Sequence, residues 1–195
     1  HCECMNRGFN RIAFEKPFGH DLKSHNAFER QIAKYFDDHQ LFRIDHYLGK
    51  ETVANLNTLK FENPLFEAVL NNRHVEDIQI IVDEDLLMGK RINYYNEFGA
   101  VKDMVQSHLL QVLALLLMKR PKSFTAEAIH KEKVNVLRTV EVKPAKEHLL
   151  GQYKGYENEL KEYGLEQKNT ETFVKMALEC KNKQWKGVGI SLRTG

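Results

Sequence analysis

The alternation of apolar and polar positions predicts a strand, a helix and a second strand in the first forty-odd residues. Residues 11–15 (RIAFE) and 41–44 (LFRI) are short apolar runs typical of strands. Residues 22–36 carry apolar side chains at helical spacing, and Asp21 precedes them as the expected N-cap. This order predicts one βαβ unit, the building block of a sheet of parallel strands.

The pattern changes character after residue 45. Helical spacing recurs in three segments, at residues 51–59, 101–118 and 125–137. Strands are expected in VEDIQIIV, HLLGQY, TETFVKMALEC and GVGISLR, and a loop in MGKRINYYNEFG. We therefore predict an α/β plus α+β fold. In it, residues 1–44 are the C-terminal remnant of a Rossmann-like parallel sheet, the NADP-binding domain. Residues 45–195 are part of an α+β substrate and dimerisation domain with a mostly antiparallel sheet.

Composition and charge narrow the classes of function. With 29 Lys and Arg against 27 Asp and Glu, the net charge of +2 argues against a nucleic-acid binder that is recognised by charge. The longest apolar run, LLQVLALLLM, is too short to span a bilayer, so we expect a buried helix and no membrane partner. Three cysteines, two of them in HCEC at the start, cannot all pair with one another. This odd number and the lack of a second ligand pair favour a reduced compartment, the cytoplasm, and no metal site.

Three segments concentrate polar side chains where strands end or a helix begins. EKPFG follows the first strand, RIDHYLGK spans the end of the second, and EFGAVKDMVQSHLLQ opens the long helix. Ligands bind at the carboxyl ends of strands in open parallel sheets. The first two segments are therefore placed for function by topology alone.

These segments resemble the glucose-6-phosphate dehydrogenase family, of which RIDHYLGK is the most specific signature. The likeness continues through EKVNVLR, GQY and the final LRTG, and EKPFGHD and NRHVE also resemble the hexose-6-phosphate dehydrogenase branch. The resemblance implies oxidation of glucose 6-phosphate at C1 to 6-phosphogluconolactone, with hydride transfer to NADP. This is the first step of the oxidative pentose phosphate pathway. It also implies a homo-oligomer, a dimer or a tetramer.

The resemblance further implies a catalytic pair. The substrate hydroxyl must lose a proton as the hydride leaves, and histidine is the side chain whose ordinary pKa lies near neutrality. The implied base is His108. Asp45 is implied to hold the imidazole in the correct tautomer and to stabilise the imidazolium, as the aspartate of a catalytic triad does.

The remaining implied site residues bind the substrate or the coenzyme. The phosphate would be held by three residues of one turn, next to a helix N-terminus: His46, Tyr47 and Lys50. Glu84 and Asp103 would accept hydrogen bonds from sugar hydroxyls. Lys16 is implied to contact both sugar and coenzyme, and Pro17, also at the coenzyme, to follow a cis peptide bond.

Each of these residues also has a purely local explanation. His108 alone would fit a helix histidine bonded to a core carbonyl, and Asp103 a first-turn aspartate stabilised by the helix dipole. The pair Tyr94 and Tyr95 is interpreted as packing, and Trp185 as core. On an ideal α-helix, positions five apart lie about 140° apart around the axis. Asp103 and His108 are therefore expected to point in different directions.

The sequence lacks one part that a nicotinamide dehydrogenase needs. Such enzymes hold the coenzyme pyrophosphate on a glycine-rich loop after the first strand, and Gly8 is the only glycine before EKPFG. We therefore expect a fragment of the enzyme that is inactive alone. The alternative is a noncatalytic phosphosugar-binding or scaffolding remnant that has kept the pocket.

Overall fold

A computed structural model describes residues 9–195 of the protein. The chain divides into two compact units: unit 1 ends at His46, and unit 2 is Tyr47–Gly195. The HCEC segment, with its expected free thiols, lies outside the described residues.

Unit 1 is the βαβ arrangement that the sequence predicts. Strand β1 (Ile12–Phe14) pairs in parallel with β2 (Leu41–Arg43), and helix α1 (Leu22–Ile32) connects them. The predicted N-cap is confirmed, because the Asp21 carboxylate accepts the Ser24 N–H at 2.7 Å and Ser24 Oγ accepts the Asp21 N–H at 3.0 Å. The helix ends before the predicted residue 36, because the chain turns after Ile32.

Unit 1 is held by contacts between side chains that are partly or fully exposed. The Phe14 and Phe28 rings pack edge to face at 5.6 Å, joining β1 to α1. Arg43 donates to Glu29 at 3.1 Å and to Asp38 at 3.3 Å, and these hydrogen bonds raise its pKa above the ordinary value. Among residues 9–46, no side chain is fully buried. The unit therefore has no closed hydrophobic core of its own.

Unit 2 contains a five-stranded sheet with helices packed on it. Its strands are β3 (Asp77–Val82), β4 (Val140–Val142), β5 (Leu149–Gly151), β6 (Phe173–Cys180) and β7 (Gly189–Thr194). The strand order is β3-β7-β6-β4, and β5 also pairs with β6. Only the β3–β7 pair is parallel among the described strand pairs of this sheet. The predicted, mostly antiparallel sheet is confirmed.

The helices of unit 2 depart from the sequence prediction in several places. They are α2 (Glu51–Ala54), α3 (Leu56–Phe61), α4 (Pro64–Val69), α5 (Ile92–Ala100), α6 (Leu110–Leu117), α7 (Ala126–Leu137) and α8 (Tyr156–Glu162). The predicted helix at 51–59 is split into α2 and α3, while α4 and α8 were not predicted. The loop prediction for MGKRINYYNEFG was wrong, since most of this segment is α5, entered through a 3₁₀ turn at Gly89–Arg91.

The long helix predicted at 101–118 begins as a π-helix. Residues Val101–Leu109 form π-type turns, and the Leu110 N–H donates to the Val105 carbonyl five residues earlier. Ordinary α-geometry resumes in α6. A π-helix of this length is rare, and π turns are found frequently at functional sites.

The core of unit 2 forms where α6 meets the sheet. Leu113 and Leu117 of α6 are completely buried in one cluster with Val174 of β6 and Leu192 of β7. The prediction of a buried helix here is confirmed. The stretch Gly89–Leu117 is long and apolar enough to cross a membrane by length and composition, but half of its most apolar part is buried inside the protein, as in a core helix.

Side chains from two other elements satisfy the carbonyls at the end of α6. Trp185, fully buried as expected, donates its indole N–H to the Leu117 carbonyl at 2.8 Å. Lys60 from α3 donates to the Leu116 carbonyl at 2.5 Å and also to that of Met118. The last carbonyls of a helix have no partner within it, so these two side chains replace the water that would otherwise bind there.

Burial of Lys60 makes the stability of the protein depend on pH. Desolvation lowers its pKa from 10.5 to about 7, against the opposing charge of Glu67. Between these two pH values the unfolded state holds one more proton than the folded state. The free energy of unfolding therefore rises as the pH increases through this window, and the burial penalty is fully present below pH 7.

Replacing this lysine is expected to remove that dependence. We define the wild-type advantage as the free energy of unfolding of the wild type minus that of Lys60→Met. It should grow between pH 7 and pH 10, by at most roughly 4 kcal/mol. Denaturant titrations at both pH values measure it. Lys131→Met, on the exposed surface of α7, serves as the control and should show no such trend. A wild-type advantage that is constant with pH would contradict the burial argument.

Candidate active site

The π-helix of unit 2 begins at a sharp kink that is held by a distant residue. Gly99 has φ 68° and ψ 173°, which interrupts the helical run. The Glu171 carboxylate accepts the Val101 N–H at 2.9 Å, and the Glu171 main-chain carbonyl accepts the Ala100 N–H at 3.0 Å. Glu171 therefore caps the N-terminus of the π-helix, where a negative charge is favoured.

Three of the expected site residues meet in one stack within unit 2. The imidazole of His108, which is almost completely buried, lies against the Tyr47 ring with centroids 4.6 Å apart and planes 25° apart. Lys50 places its ammonium group 3.8 Å from the centroid of the Tyr47 ring. Aromatic stacking and the cation–π contact hold these side chains in order. The result is a buried imidazole with an exposed cation close to it.

Asp103 lies on the same π-helix and is held by two residues of the preceding segment. Its carboxylate is only 1% exposed. Arg91 Nη2 lies 3.1 Å from Oδ2, and the Tyr94 hydroxyl donates to Oδ1 at 3.2 Å. The interpretation of Tyr94 as a packing residue is also supported, because its ring stacks on Phe98 at 4.5 Å.

The π-geometry changes the expected relation between Asp103 and His108. The estimate of about 140° assumed an α-helix, whereas the segment that carries both residues is a π-helix. Hydrogen bonds in a π-helix connect residues five apart, so residue i+5 lies a little more than one full turn after residue i. The expectation that the two side chains point in different directions was therefore wrong in its premise.

Glu84 follows the end of β3. Its side chain is exposed, and its main-chain N–H donates to the Gly195 carbonyl at 2.8 Å. The neighbouring Asp83 forms an ion pair with Arg193 of β7. Glu84 thus lies at the carboxyl ends of the parallel pair β3 and β7, which is the side of a parallel sheet where ligands bind.

Four of the expected site residues belong to unit 1: Lys16, Pro17, Asp45 and His46. Lys16 is the second residue after β1, and the peptide bond from Lys16 to Pro17 is cis, as expected. His46 Nε2 lies 2.8 Å from a carboxylate oxygen of Glu15. The pairing of Asp45 with His108 stays a prediction. In residues 9–195, no three or more His, Cys, Asp or Glu side chains form a group that could hold a metal.

Family comparisons cover the chain almost completely. A sequence model described as "Glucose-6-phosphate dehydrogenase, C-terminal domain" matches residues 57–195. A second, "Glucose-6-phosphate dehydrogenase, NAD binding domain", matches residues 1–55. The chain belongs to the glucose-6-phosphate dehydrogenase family. The resemblance carried by RIDHYLGK and the accompanying motifs is thereby confirmed.

Individual relatives in the glucose-6-phosphate dehydrogenase family are much longer than this chain. The cytoplasmic glucose-6-phosphate 1-dehydrogenase 6 of Arabidopsis thaliana is 42% identical over 98% of the chain, which covers 38% of that relative. The chloroplastic enzyme of Solanum tuberosum is 40% identical over 96% of the chain and 34% of its own length. A solved glucose-6-phosphate dehydrogenase in complex with glucose 6-phosphate matches with a TM-score of 0.87 at 36% identity. The match covers 95% of this chain and 40% of that one. The predicted fold class is confirmed.

Three residues around the π-helix were not predicted from the sequence. Arg91 and Tyr94 lie three positions apart, the spacing of neighbours on one helix face, but their segment was interpreted as a loop. This spacing was the available signal. Glu171 had none, because it is 70 positions from the Val101 N–H that it binds.

Proposed function

We propose that the full-length protein that contains this chain is an NADP-dependent glucose-6-phosphate 1-dehydrogenase. It oxidises glucose 6-phosphate at C1 to 6-phosphogluconolactone with hydride transfer to NADP. The observation that carries the proposal is the stack of Tyr47 on the buried His108, together with the contact of the Lys50 ammonium with the same Tyr47 ring. Oxidation of a sugar phosphate requires a base for the proton of the hydroxyl and a cation for the phosphate, and this arrangement offers both.

In this proposal, His108 accepts the proton of the C1 hydroxyl. Packing of Tyr47 against the imidazole limits the orientations of the ring, and a fixed ring keeps the accepting nitrogen aimed at one place. Asp45 supports the base by holding its tautomer and stabilising the imidazolium that forms. The proton thus moves from the substrate oxygen to an imidazole nitrogen.

The phosphate of the substrate is assigned to His46, Tyr47 and Lys50. The side chain of Lys50 is exposed apart from its contact with the Tyr47 ring, so its ammonium hydrogens can reach a phosphate oxygen. Ammonium and imidazolium donors form short, charge-assisted hydrogen bonds to phosphate. Glu84 and Asp103 are assigned to the sugar hydroxyls, which they bind as acceptors.

The coenzyme is assigned to Lys16 and Pro17 in this part of the protein. When bound, NADP supplies the hydride acceptor. Lys16 is partly exposed just beyond β1, at the carboxyl end of a parallel strand, and its three donors suit phosphate or hydroxyl oxygens. This placement fits the coenzyme, and Lys16 would also contact the sugar.

The direct test is a dehydrogenase assay of the full-length protein with glucose 6-phosphate, following the absorbance of the reduced coenzyme. NADP and NAD are compared at equal concentration, and turnover with NADP is the expected result. The second hypothesis, a noncatalytic phosphosugar binder, predicts heat of binding in calorimetry but no turnover with either coenzyme. Binding without turnover would therefore overturn the dehydrogenase proposal.

The proposal for the phosphate site makes a specific prediction about Lys50. In the full-length protein, Lys50→Ala should weaken the binding of glucose 6-phosphate by roughly 2 kcal/mol and leave the binding of free glucose almost unchanged. The reason is that only the phosphate contacts the ammonium group. Titration of both sugars measures the difference. Lys131→Ala removes an equally exposed lysine of α7 as control. Equal losses for the two sugars would show that Lys50 is not at the phosphate.

Two wider expectations accompany the proposal. We place the protein in the cytoplasm, the compartment named for the Arabidopsis relative, although the potato relative is chloroplastic. We also propose a homo-oligomer, a dimer or a tetramer. Exposed apolar side chains on the short strands β4 and β5 are consistent with a surface that becomes covered in an assembly: Val142, Leu149 and Leu150. Cell fractionation and the native mass of the full-length protein test these points.

A further inference from the structure

Both carboxylate oxygens of Asp103 accept hydrogen bonds from side chains of α5 and of the turn that precedes it. Arg91 reaches Oδ2 at 3.1 Å and Tyr94 reaches Oδ1 at 3.2 Å. The two residues are three positions apart and therefore lie on the same face of the helical segment. Their contacts cross the kink at Gly99, so they tie the segment before the kink to the π-helix after it. We call this pair the Arg91–Tyr94 clamp.

The clamp stabilises the buried charge of Asp103 and fixes the orientation of its carboxylate. A carboxylate that is only 1% exposed needs a charge partner and hydrogen bonds. Arg91 supplies the positive charge from a side chain that is 60% exposed. Tyr94 supplies a hydroxyl, and burial, with the nearby charge of Asp103, raises its pKa to about 12, so the hydroxyl keeps its proton. One bond to each oxygen defines the plane of the carboxylate.

We propose that Arg91 and Tyr94 are positioning residues for recognition of the sugar ring: they orient the Asp103 carboxylate so that it accepts a ring hydroxyl of the substrate. This inference rests on the proposed function, in which Asp103 contacts the sugar. A carboxylate offers about four acceptor positions, so one oxygen can accept more than one hydrogen bond. The hydroxyl bond depends on the plane of the carboxylate, so loosening the clamp weakens that bond specifically.

A clamp that only stabilised the kink would behave differently. Loss of a structural contact lowers the activity of the folded protein on every sugar phosphate in the same proportion, because it does not act through one hydroxyl. Loss of a positioning contact lowers activity on the substrate that has the hydroxyl and spares the analogue that lacks it. The ratio of kcat/KM for the two substrates therefore distinguishes the positioning role from the structural role.

The experiment uses the full-length protein and compares glucose 6-phosphate with its 2-deoxy, 3-deoxy and 4-deoxy analogues. Tyr94→Phe removes one hydroxyl and keeps the ring that stacks on Phe98, and Arg91→Met removes the charge. Tyr95→Phe is the matched control, since it deletes the neighbouring buried hydroxyl. Arg91→Lys tests rescue, because it restores the charge without the planar guanidinium.

For Tyr94→Phe we expect kcat/KM for glucose 6-phosphate to fall about tenfold, as for loss of one hydrogen bond to a charged group. For one of the deoxy analogues the same variant should change kcat/KM by less than about twofold. Arg91→Met should follow this pattern, and Arg91→Lys should recover part of the loss. Tyr95→Phe should leave the ratio of kcat/KM values for the different substrates at the wild-type value.

Proportional losses on all four sugar phosphates, or no loss on any, would overturn the inference. Dissociation constants for the same sugars, measured by calorimetry without coenzyme, provide a readout that needs no turnover. Absence of turnover in the wild type therefore contradicts the proposed dehydrogenase alone. An unchanged affinity ratio in Tyr94→Phe contradicts the positioning role alone.

Discussion

His108→Asn in the full-length protein should lower kcat by roughly 10²–10⁴-fold, the usual contribution of a positioned general base. Asparagine keeps a polar group at this buried position but cannot accept the hydroxyl proton. Loss of the stack on Tyr47 should also cost about 0.5–1.5 kcal/mol of stability. The fold is therefore checked by circular dichroism and by thermal unfolding before kcat is measured on the folded variant.

His130→Asn is the control for this substitution. His130 is an exposed histidine on α7, and its variant should keep wild-type kcat. If His108→Asn retains activity within tenfold of wild type, His108 is not the base. The same outcome would leave family membership intact and direct attention to another proton acceptor.

Gly99→Ala should produce the largest loss of stability among single methyl additions at the glycines considered. The dihedral angles of Gly99, φ 68° and ψ 173°, belong to a region that is essentially restricted to glycine, and strain there costs about 1–3 kcal/mol. A Cβ at this position would also lie 2.5 Å from a carboxylate oxygen of Glu171. We expect the free energy of unfolding to fall by roughly 2–5 kcal/mol, measured by denaturant titration.

Two other glycines separate the strain from the steric clash. Gly187 has φ 91° but open space around its Cβ position, so Gly187→Ala should show only the backbone cost, about 1–2 kcal/mol. The nearest atom to a Cβ on Gly151 is 4.0 Å away, and Gly151→Ala should be close to neutral. A Gly99→Ala variant as stable as Gly187→Ala would show that Glu171 does not constrain the kink.

Coupling between Gly99 and Glu171 can be measured directly. In Gly99→Ala, part of the cost comes from contact with the Glu171 carboxylate, so the cost should be smaller when Glu171 is already alanine. The double variant should therefore be more stable than the two separate losses predict. Simple additivity would argue that the carboxylate moves aside without cost.

The sequence predicted the parts of the fold that follow a simple hydrophobic period. The α6 run is apolar throughout its buried length, and the Asp21 cap follows from the local chemistry of one turn. By contrast, the buried face of α5 contains Ile92, Tyr95, Asn96 and Gly99. These have helical spacing, but a polar amide and a glycine interrupt the apolar pattern. The same explanation holds for α8, whose buried face includes Glu159.

The candidate site divides along similar lines. His108, Asp103 and Lys50 were indicated by short motifs, because their chemistry is local. The π-helix was not predictable from its own residues. Its N-terminus is held by the contact of Glu171 with the Val101 N–H, and its Asp103 side chain by the contacts with Arg91 and Tyr94. Such tertiary contacts override the local preference for an α-helix, and no local pattern in the sequence indicates them.

The π-helix also has a consequence for how the gene can tolerate insertions and deletions. Each π turn encloses one residue more than an α turn, so a π segment is what remains when an α-helix absorbs an added residue without losing its ends. Deleting one residue from Val101–Leu109 would let part of the segment return to the α period, so that Asp103 and the leucines of α6 keep nearly the same relative directions. We therefore expect this segment to tolerate loss of one residue better than α6, where a deletion would rotate the preceding residues by about 100° around the helix axis.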